Sequence, residues 1–231
     1  MSGLETDLST TRSELVLLRR FAHTALKALE RDRQRIDGLN VYPVPDGDTG
    51  ANLVSTVRAL VDELDATEPV ERSLLHRNLA RALRMGARGN SGVILSQLVA
   101  GAVQAAPVAS AIDGRALALM LESAREAAYA AVSKPVEGTM LTLMGALSER
   151  ALALRRKKLP LDQLLRRLVE SGEEALARTP DQLPALREAG VVDAGAAGLL
   201  ECLRAIAAAV SAEPAVEAAQ VLRLVTAPPG V

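Results

Sequence analysis

Asn40-Val41-Tyr42-Pro43-Val44-Pro45-Asp46-Gly47-Asp48-Thr49-Gly50-Ala51-Asn52 is the stretch from which the rest of the chain is best read. Pro43 and Pro45 hold it extended, because proline fixes φ and pushes the preceding residue out of the helical region. Asp46 and Asp48 follow at i and i+2. In an extended segment alternate side chains point the same way, so both carboxylates can face one point. Gly47 and Gly50 permit tight turns, and an apolar helical pattern starts at once. Hard-metal ligands beside a helix N-terminus suit a magnesium-bound phosphate. The same acidic turn would also serve as an ordinary helix cap. A calcium EF-hand loop is excluded: counted from Asp46, its sixth position is Ala51 rather than Gly and its twelfth Val57 rather than Glu. No G-x-x-x-x-G-K-S/T occurs, so any nucleotide is bound without a Walker A loop.

Outward from this turn the hydrophobic periodicity is helical nearly throughout. Thr11 and Glu14 suggest a capping box opening a first helix that runs to Gly38. A second spans Gly50 to Leu64 and a third Glu71 to Met85. A fourth starts near Ser91, and a fifth is capped by Asp113. A sixth begins near Thr139, and Pro160 separates it from a seventh. Pro180 and Pro184 interrupt the chain again before a last helix that follows the loop Gly190 to Gly195 and ends near Val210. No linker divides these segments. The expectation is an all-α domain over residues 1–211, an antiparallel eight-helix bundle or barrel, with an Ala/Pro-rich tail or linker over 212–231.

Composition agrees. Apolar residues make up 49% and aromatics 1%, so the core must be built from Ala, Leu and Val, which suits close-packed helices better than sheets. With 27 basic and 28 acidic residues there is no electrostatic case for nucleic acid. The single Cys202 excludes an intrachain disulfide framework and reads as a small buried hydrophobe. His23 and His76 read as surface or packing residues. The uncharged run from Asn90 to Ile112 is broken by Pro107 and rich in Ser and Gln, so it reads as a buried helix and a loop rather than a membrane span. No signal peptide pattern opens the sequence, and the expected location is cytoplasmic.

Four loops stand out from the alanine-rich helices: the Asp46/Asp48 turn, Gly86 to Gly92, Lys134 to Thr142, and Gly190 to Gly198. Three glycines within Gly86 to Gly92 can turn backbone N–H groups toward an anion, or can serve as ordinary caps. In an antiparallel bundle the loops before helices two, four, six and eight gather at one end.

With these four motifs in this order, residues 10 to 210 resemble the DhaL domain of the dihydroxyacetone kinase family. The nearest likeness is to the N-terminal domain of the bacterial fatty acid kinase, which works with DegV-type fatty-acid-binding proteins. The resemblance implies an eight-helix barrel holding ATP or ADP at one end through Mg²⁺, two ions by analogy. It implies that Asp46 and Asp48 bind metal and that Thr49, Gly50 and Asn52 contact the phosphates. Gly89, Asn90, Ser91 and Gly92 match the phosphate loop. Thr139 and Met140 match the edge of the adenine pocket, Asp193, Ala194 and Gly195 a closing nucleotide contact, and Arg178 a nucleotide-contacting arginine.

The sequence also departs from the family pattern. Dihydroxyacetone kinases carry a third aspartate where this chain has Val41, so Asn40 is the candidate for a neutral oxygen ligand. They carry His where Thr49 stands. Both differences favour the fatty-acid-kinase branch. That branch implies a carboxylate acceptor, already ionised and needing no general base, with Lys134 as an added positive charge near the transferring phosphate. The full fatty acid kinase has further domains, so activity is expected to draw on other domains or a partner. A dihydroxyacetone-type kinase subunit and a non-catalytic nucleotide-binding module remain as alternatives, and a homodimer is left open.

Overall fold

The computed structural model describes residues 3–107 and 112–212. Among them all regular structure is helical: α1 Gly3–Gly38, α2 Thr49–Ala66, α3 Arg72–Gly86, α4 Gly89–Gln104, α5 Gly114–Ala130, α6 Met140–Leu154, α7 Leu161–Ala177, α8 Thr179–Gln182, α9 Pro184–Ala189 and α10 Ala194–Ser211. The eight long helices close a circuit. α1 packs on α2, α2 on α3 and α4, α4 on α5, and so on through α7 to α10, which returns to α1. α10 also touches α2 and α6, across the middle of the ring.

Small residues make this closure tight. A Cβ on Gly101 of α4 would lie 2.6 Å from the Ser123 carbonyl oxygen of α5, and one on Gly198 of α10 would overlap Leu53 of α2. Leu29, Ile36, Leu53, Leu143 and Leu200 fill the interior and are fully buried. Each such side chain is worth about 1.5–3 kcal/mol relative to exposure. Cys202 joins this core, and burial pushes its thiol up to about 12, in keeping with a small inert hydrophobe.

The barrel is polar along its axis. α2, α4, α6 and α10 start at one end, and arginines meet their carbonyls at the other. Arg19 donates to Leu64 O at 2.8 Å and Thr67 O at 2.6 Å, Arg20 to Ala209 O at 3.0 Å, and Arg72 to Ala106 O just beyond α4 at 2.8 Å. Cations there complement the negative helix ends.

Several boundaries follow the sequence closely: Glu71, Asp113 and Thr139 each cap a helix with their side chains. The capping box at Thr11 and Glu14 does not form. α1 begins at Gly3, so Thr11 is interior and buried. Glu14 instead receives Arg72 Nε at 2.7 Å and pairs with His76 Nε2 at 2.9 Å, tying α1 to α3. Burial opposes its charge, but the hydrogen bonds from His76 and Arg72 outweigh that and hold its carboxyl below the usual range. His23 faces Asp65 on the surface. Pro180 and Pro184 do not merely interrupt. They open α8 and α9 in the first turn, where a missing N–H costs nothing.

The tail expected from Ala212 lies, beyond Ala212 itself, outside the described residues, as do residues 108–111 of the uncharged run. Among the described residues one helix, Ala194–Ser211, is long and apolar enough to cross a membrane, and half of it is buried inside the packing. It is a core helix of the barrel.

Candidate functional site

The N-termini of α2, α4, α6 and α10 meet at one cavity of about 260 Å³. Each helix start carries roughly half a positive charge. The cavity brings together Asn40, Asp46, Asp48, Thr49, Asn52, Gly89, Asn90, Ser91, Lys134, Thr139, Met140, Asp193 and Gly195. These come from all four sequence motifs, spread over more than 150 residues of chain.

The turn before α2 is closed by Asn40, which is 7% exposed. Its Nδ2 donates to Val44 O at 3.2 Å and to Asp46 Oδ1 at 2.6 Å, while its Oδ1 accepts the Thr49 hydroxyl at 2.8 Å. Two acceptors on one side fix which way the amide faces. The expectation of an oxygen ligand at Asn40 thus meets an N–H donor beside Asp46. Tyr42, Pro43 and Val44 of the same turn line the cavity too, with a cis Tyr42–Pro43 bond.

Asp48 occupies the N-cap position of α2 yet makes no capping bond with its side chain. Asp37, from the end of α1, supplies that acceptor: its Oδ1 takes the Ala51 N–H at 3.1 Å. Gly50 makes the approach possible, since a Cβ there would lie 2.9 Å from Asp37 Oδ1. Gly50 therefore sits behind the cavity, joining α1 to α2. Both Asp46 and Asp48 remain solvent-accessible. The structural-cap reading of Asp48 fails on this geometry.

The glycine-rich segment, expected as a loop, instead ends α3 at Gly86 and opens α4 at Gly89, and it lies flat on α2. A Cβ on Gly86, Gly89 or Gly92 would overlap Ala59, Asn52 or Thr56 respectively. Those three partners recur at helical spacing on one face of α2. Gly89 additionally has φ of +60°, the left-handed region. The flattening brings the start of α4 to the cavity. Arg88 at its N-cap makes no capping bond, so the first N–H groups there have no side-chain cap. Asn90 and Ser91 line the cavity, and Gly92 stays behind it.

The opposite wall differs. Ile94, Val132, Val136, Met140 and Leu141 make it apolar. Both helix starts on this side are capped internally. Thr139 Oγ1 accepts Leu141 N–H at 3.3 Å, and Asp193 accepts Ala196 N–H at 2.7 Å. Burial pushes the Asp193 carboxyl up to about 6 against the backbone N–H groups of Ala196, Met140 and Gly195. Ala194 is buried behind this wall. Lys134 is exposed on the cavity rim and makes no ion pair among the described residues. Arg178 is not part of the lining; it ends α7 and faces Glu174 at 3.4 Å.

Sequence reasoning finds Met140 but passes over the other apolar liners and Asp37. Val132, Val136 and Ile94 look like any other helix or loop residue. Asp37 acquires a role only because the following loop folds back on α1.

No group of three or more His, Cys, Asp or Glu side chains gathers among the described residues. Asp46 and Asp48 therefore offer two hard oxygen donors and room for water. That fits Mg²⁺, which keeps several waters and uses one or two carboxylates plus substrate phosphates, and does not fit a closed calcium cage.

Comparison with known proteins agrees with this architecture. The family model of the DAK2 domain matches residues 43–208. Protein YloV of Bacillus subtilis (strain 168) is 40% identical over 172 residues, 74% of this chain and 31% of that protein. An uncharacterized protein of Staphylococcus aureus (strain USA300) is likewise 40% identical over 172 residues. The match takes in less than a third of the length of these relatives. Among solved structures, dihydroxyacetone kinase from C. freundii in complex with AMP-PNP and Mg²⁺ superposes with a TM-score of 0.60 at 20% identity. The superposition covers 84% of this chain and 34% of that one. The native form of the same enzyme gives 0.59.

Proposed function

The chain belongs to the DAK2 domain family, and on that premise we propose that it is a kinase-type domain binding ATP or ADP with Mg²⁺ in the cavity. The finer reading is transfer of the γ-phosphate to a fatty acid carboxylate presented by a DegV-type partner. One observation carries the proposal: the Asp48 carboxylate stands at a helix start without capping it, beside Asp46 and the uncapped start of α4. A charged group left unused at a convergence of positive helix ends is suited to a cation-bound anion. The C. freundii enzyme of the same fold was solved with AMP-PNP and Mg²⁺, which supports the same class of ligand here.

The two walls divide the work. Asp46 and Asp48 would hold Mg²⁺, which supplies charge neutralisation at the phosphates. The N–H groups at the start of α4, with Asn90 and Ser91, hold phosphate oxygens. Met140, Leu141, Val132 and Val136 offer an apolar face to a purine. Lys134 adds positive charge at the rim. Phosphoryl transfer depends chiefly on positioning and charge stabilisation, so the lack of a covalent nucleophile is no obstacle. Neither histidine lines the cavity. A carboxylate acceptor, already ionised at neutral pH, needs no base from the cavity.

Calorimetric titration with ATP, with and without Mg²⁺, tests the reading. Metal-dependent binding that disappears in a folded Asp46→Ala/Asp48→Ala variant is expected. Binding that persists unchanged in that variant would sink it. Turnover with an acyl-loaded DegV-type protein tests the acceptor, and tight nucleotide binding without turnover would favour a regulatory module.

A further inference from the structure

We propose that Asn40 and Thr49 are positioning residues that hold the Asp46 carboxylate toward the metal, with Asn40 a donor to a ligand and not a ligand itself. This rests on the Mg²⁺-nucleotide reading of the cavity. Asp46 lies in an exposed loop, where a carboxylate would turn freely. Its Oδ1 is pinned by Asn40 Nδ2 at 2.6 Å, and Oδ2 takes no hydrogen bond among the described residues, so it is left to a ligand. Asn40 can pin it because its other N–H meets Val44 O and its oxygen is taken by Thr49 at 2.8 Å. Asn40 and Thr49 are both 7% exposed, so water competes little for these bonds. The chain runs one way: Thr49 hydroxyl to amide oxygen, amide nitrogen to carboxylate. Each bond polarises the next. The one side-chain atom of Asn40 able to ligate a cation, Oδ1, accepts the hydroxyl of the first residue of α2. Outer-shell partners of this kind typically change metal affinity about 10- to 100-fold when removed.

The test uses Mn²⁺ alone as the probe, free ion being read by electron paramagnetic resonance, with circular dichroism confirming that each variant is folded. Asn40→Ala should weaken Mn²⁺ binding by roughly tenfold or more. Thr49→Val should weaken it several-fold, and Thr49→Ser, which keeps the hydroxyl, should restore it. The Asn40→Ala/Thr49→Val double variant should bind no worse than Asn40→Ala, because Thr49 acts only through Asn40. Additive losses would overturn the proposal, as would a neutral Thr49→Val beside a weakened Asn40→Ala, the signature of direct ligation by Asn40. Wild-type protein that binds no Mn²⁺ also overturns it, since a held carboxylate should bind the ion before nucleotide arrives. If that protein still binds ATP with Mg²⁺, the cavity reading stands and only the positioning role falls.

Discussion

The Asp37 carboxylate, from the end of α1, caps α2 in place of Asp48, accepting the Ala51 N–H at 3.1 Å. One helix thus completes another, and the residue at the N-cap position keeps its charge for a ligand. Removing one aspartate or the other should divide the loss differently between folding and binding. Asp37→Ala leaves an orphan N–H and should cost about 1 kcal/mol of stability, as lost caps do. It should also weaken Mg²⁺-ATP, because Asp48 can then turn back to cap. Asp48→Ala should change stability by less than about 0.5 kcal/mol, as at surface sites without structural partners, while abolishing metal-dependent binding. Urea unfolding beside calorimetry checks both, and equal stability losses would contradict the assignment.

The three glycines around the α3–α4 junction answer to α2 as much as to any phosphate. Gly86→Ala places a methyl against the Ala59 methyl and should cost about 1–3 kcal/mol by overpacking. Ala59→Gly alone should cost about 1 kcal/mol of helix propensity. The double variant should be more stable than Gly86→Ala alone, since the space has been exchanged across the interface. Denaturation midpoints of the four proteins decide it, and simple additivity would remove the contact as the reason for the glycine.

This explains what the sequence shows and what it hides. The helices were legible because Leu and Ala recur at helical spacing and because Glu71, Asp113 and Thr139 sit where caps belong. The convergence of motifs followed from antiparallel connectivity. Thr11 and Glu14 misled because a capping box is a local pattern, and Glu14 is claimed by Arg72 and His76 from a helix nearly 60 residues away. Asp48 was ambiguous for the same reason: whether an aspartate caps depends on what the neighbouring helix supplies. The prolines at 180 and 184 fit both a break and a helix start. Arg178, matched by position, lies at the end of α7 outside the lining, beside Glu174 on the surface.

Asp193 gives a pH signature with a definite sign. Burial raises its folded carboxyl to about 6 from an ordinary value near 3.8, so the folded protein binds the extra proton between those values. Its contribution to stability is greatest at low pH and is lost as pH rises through about 4 to 6, by up to roughly 3 kcal/mol. Asp193→Asn keeps an oxygen for the Ala196 N–H but cannot ionise. Its stability relative to wild type should therefore climb between pH 4 and pH 6.5. Urea unfolding of the pair across that range is the measurement, and a constant difference would show that the carboxyl titrates normally.

Lys134 separates binding chemistry from folding. It stands on the cavity rim without an ion pair among the described residues, so Lys134→Gln should leave stability within about 0.5 kcal/mol. If it supplies charge to the phosphates, ATP affinity should fall and its dependence on salt should become shallower, because exposed charges act through a screened field. A lysine that only solvates its loop would leave both unchanged. Titrating ATP at two ionic strengths distinguishes these outcomes. The slope matters more than the affinity: packing changes shift affinity at every salt concentration alike, whereas a removed cation changes how affinity responds to salt.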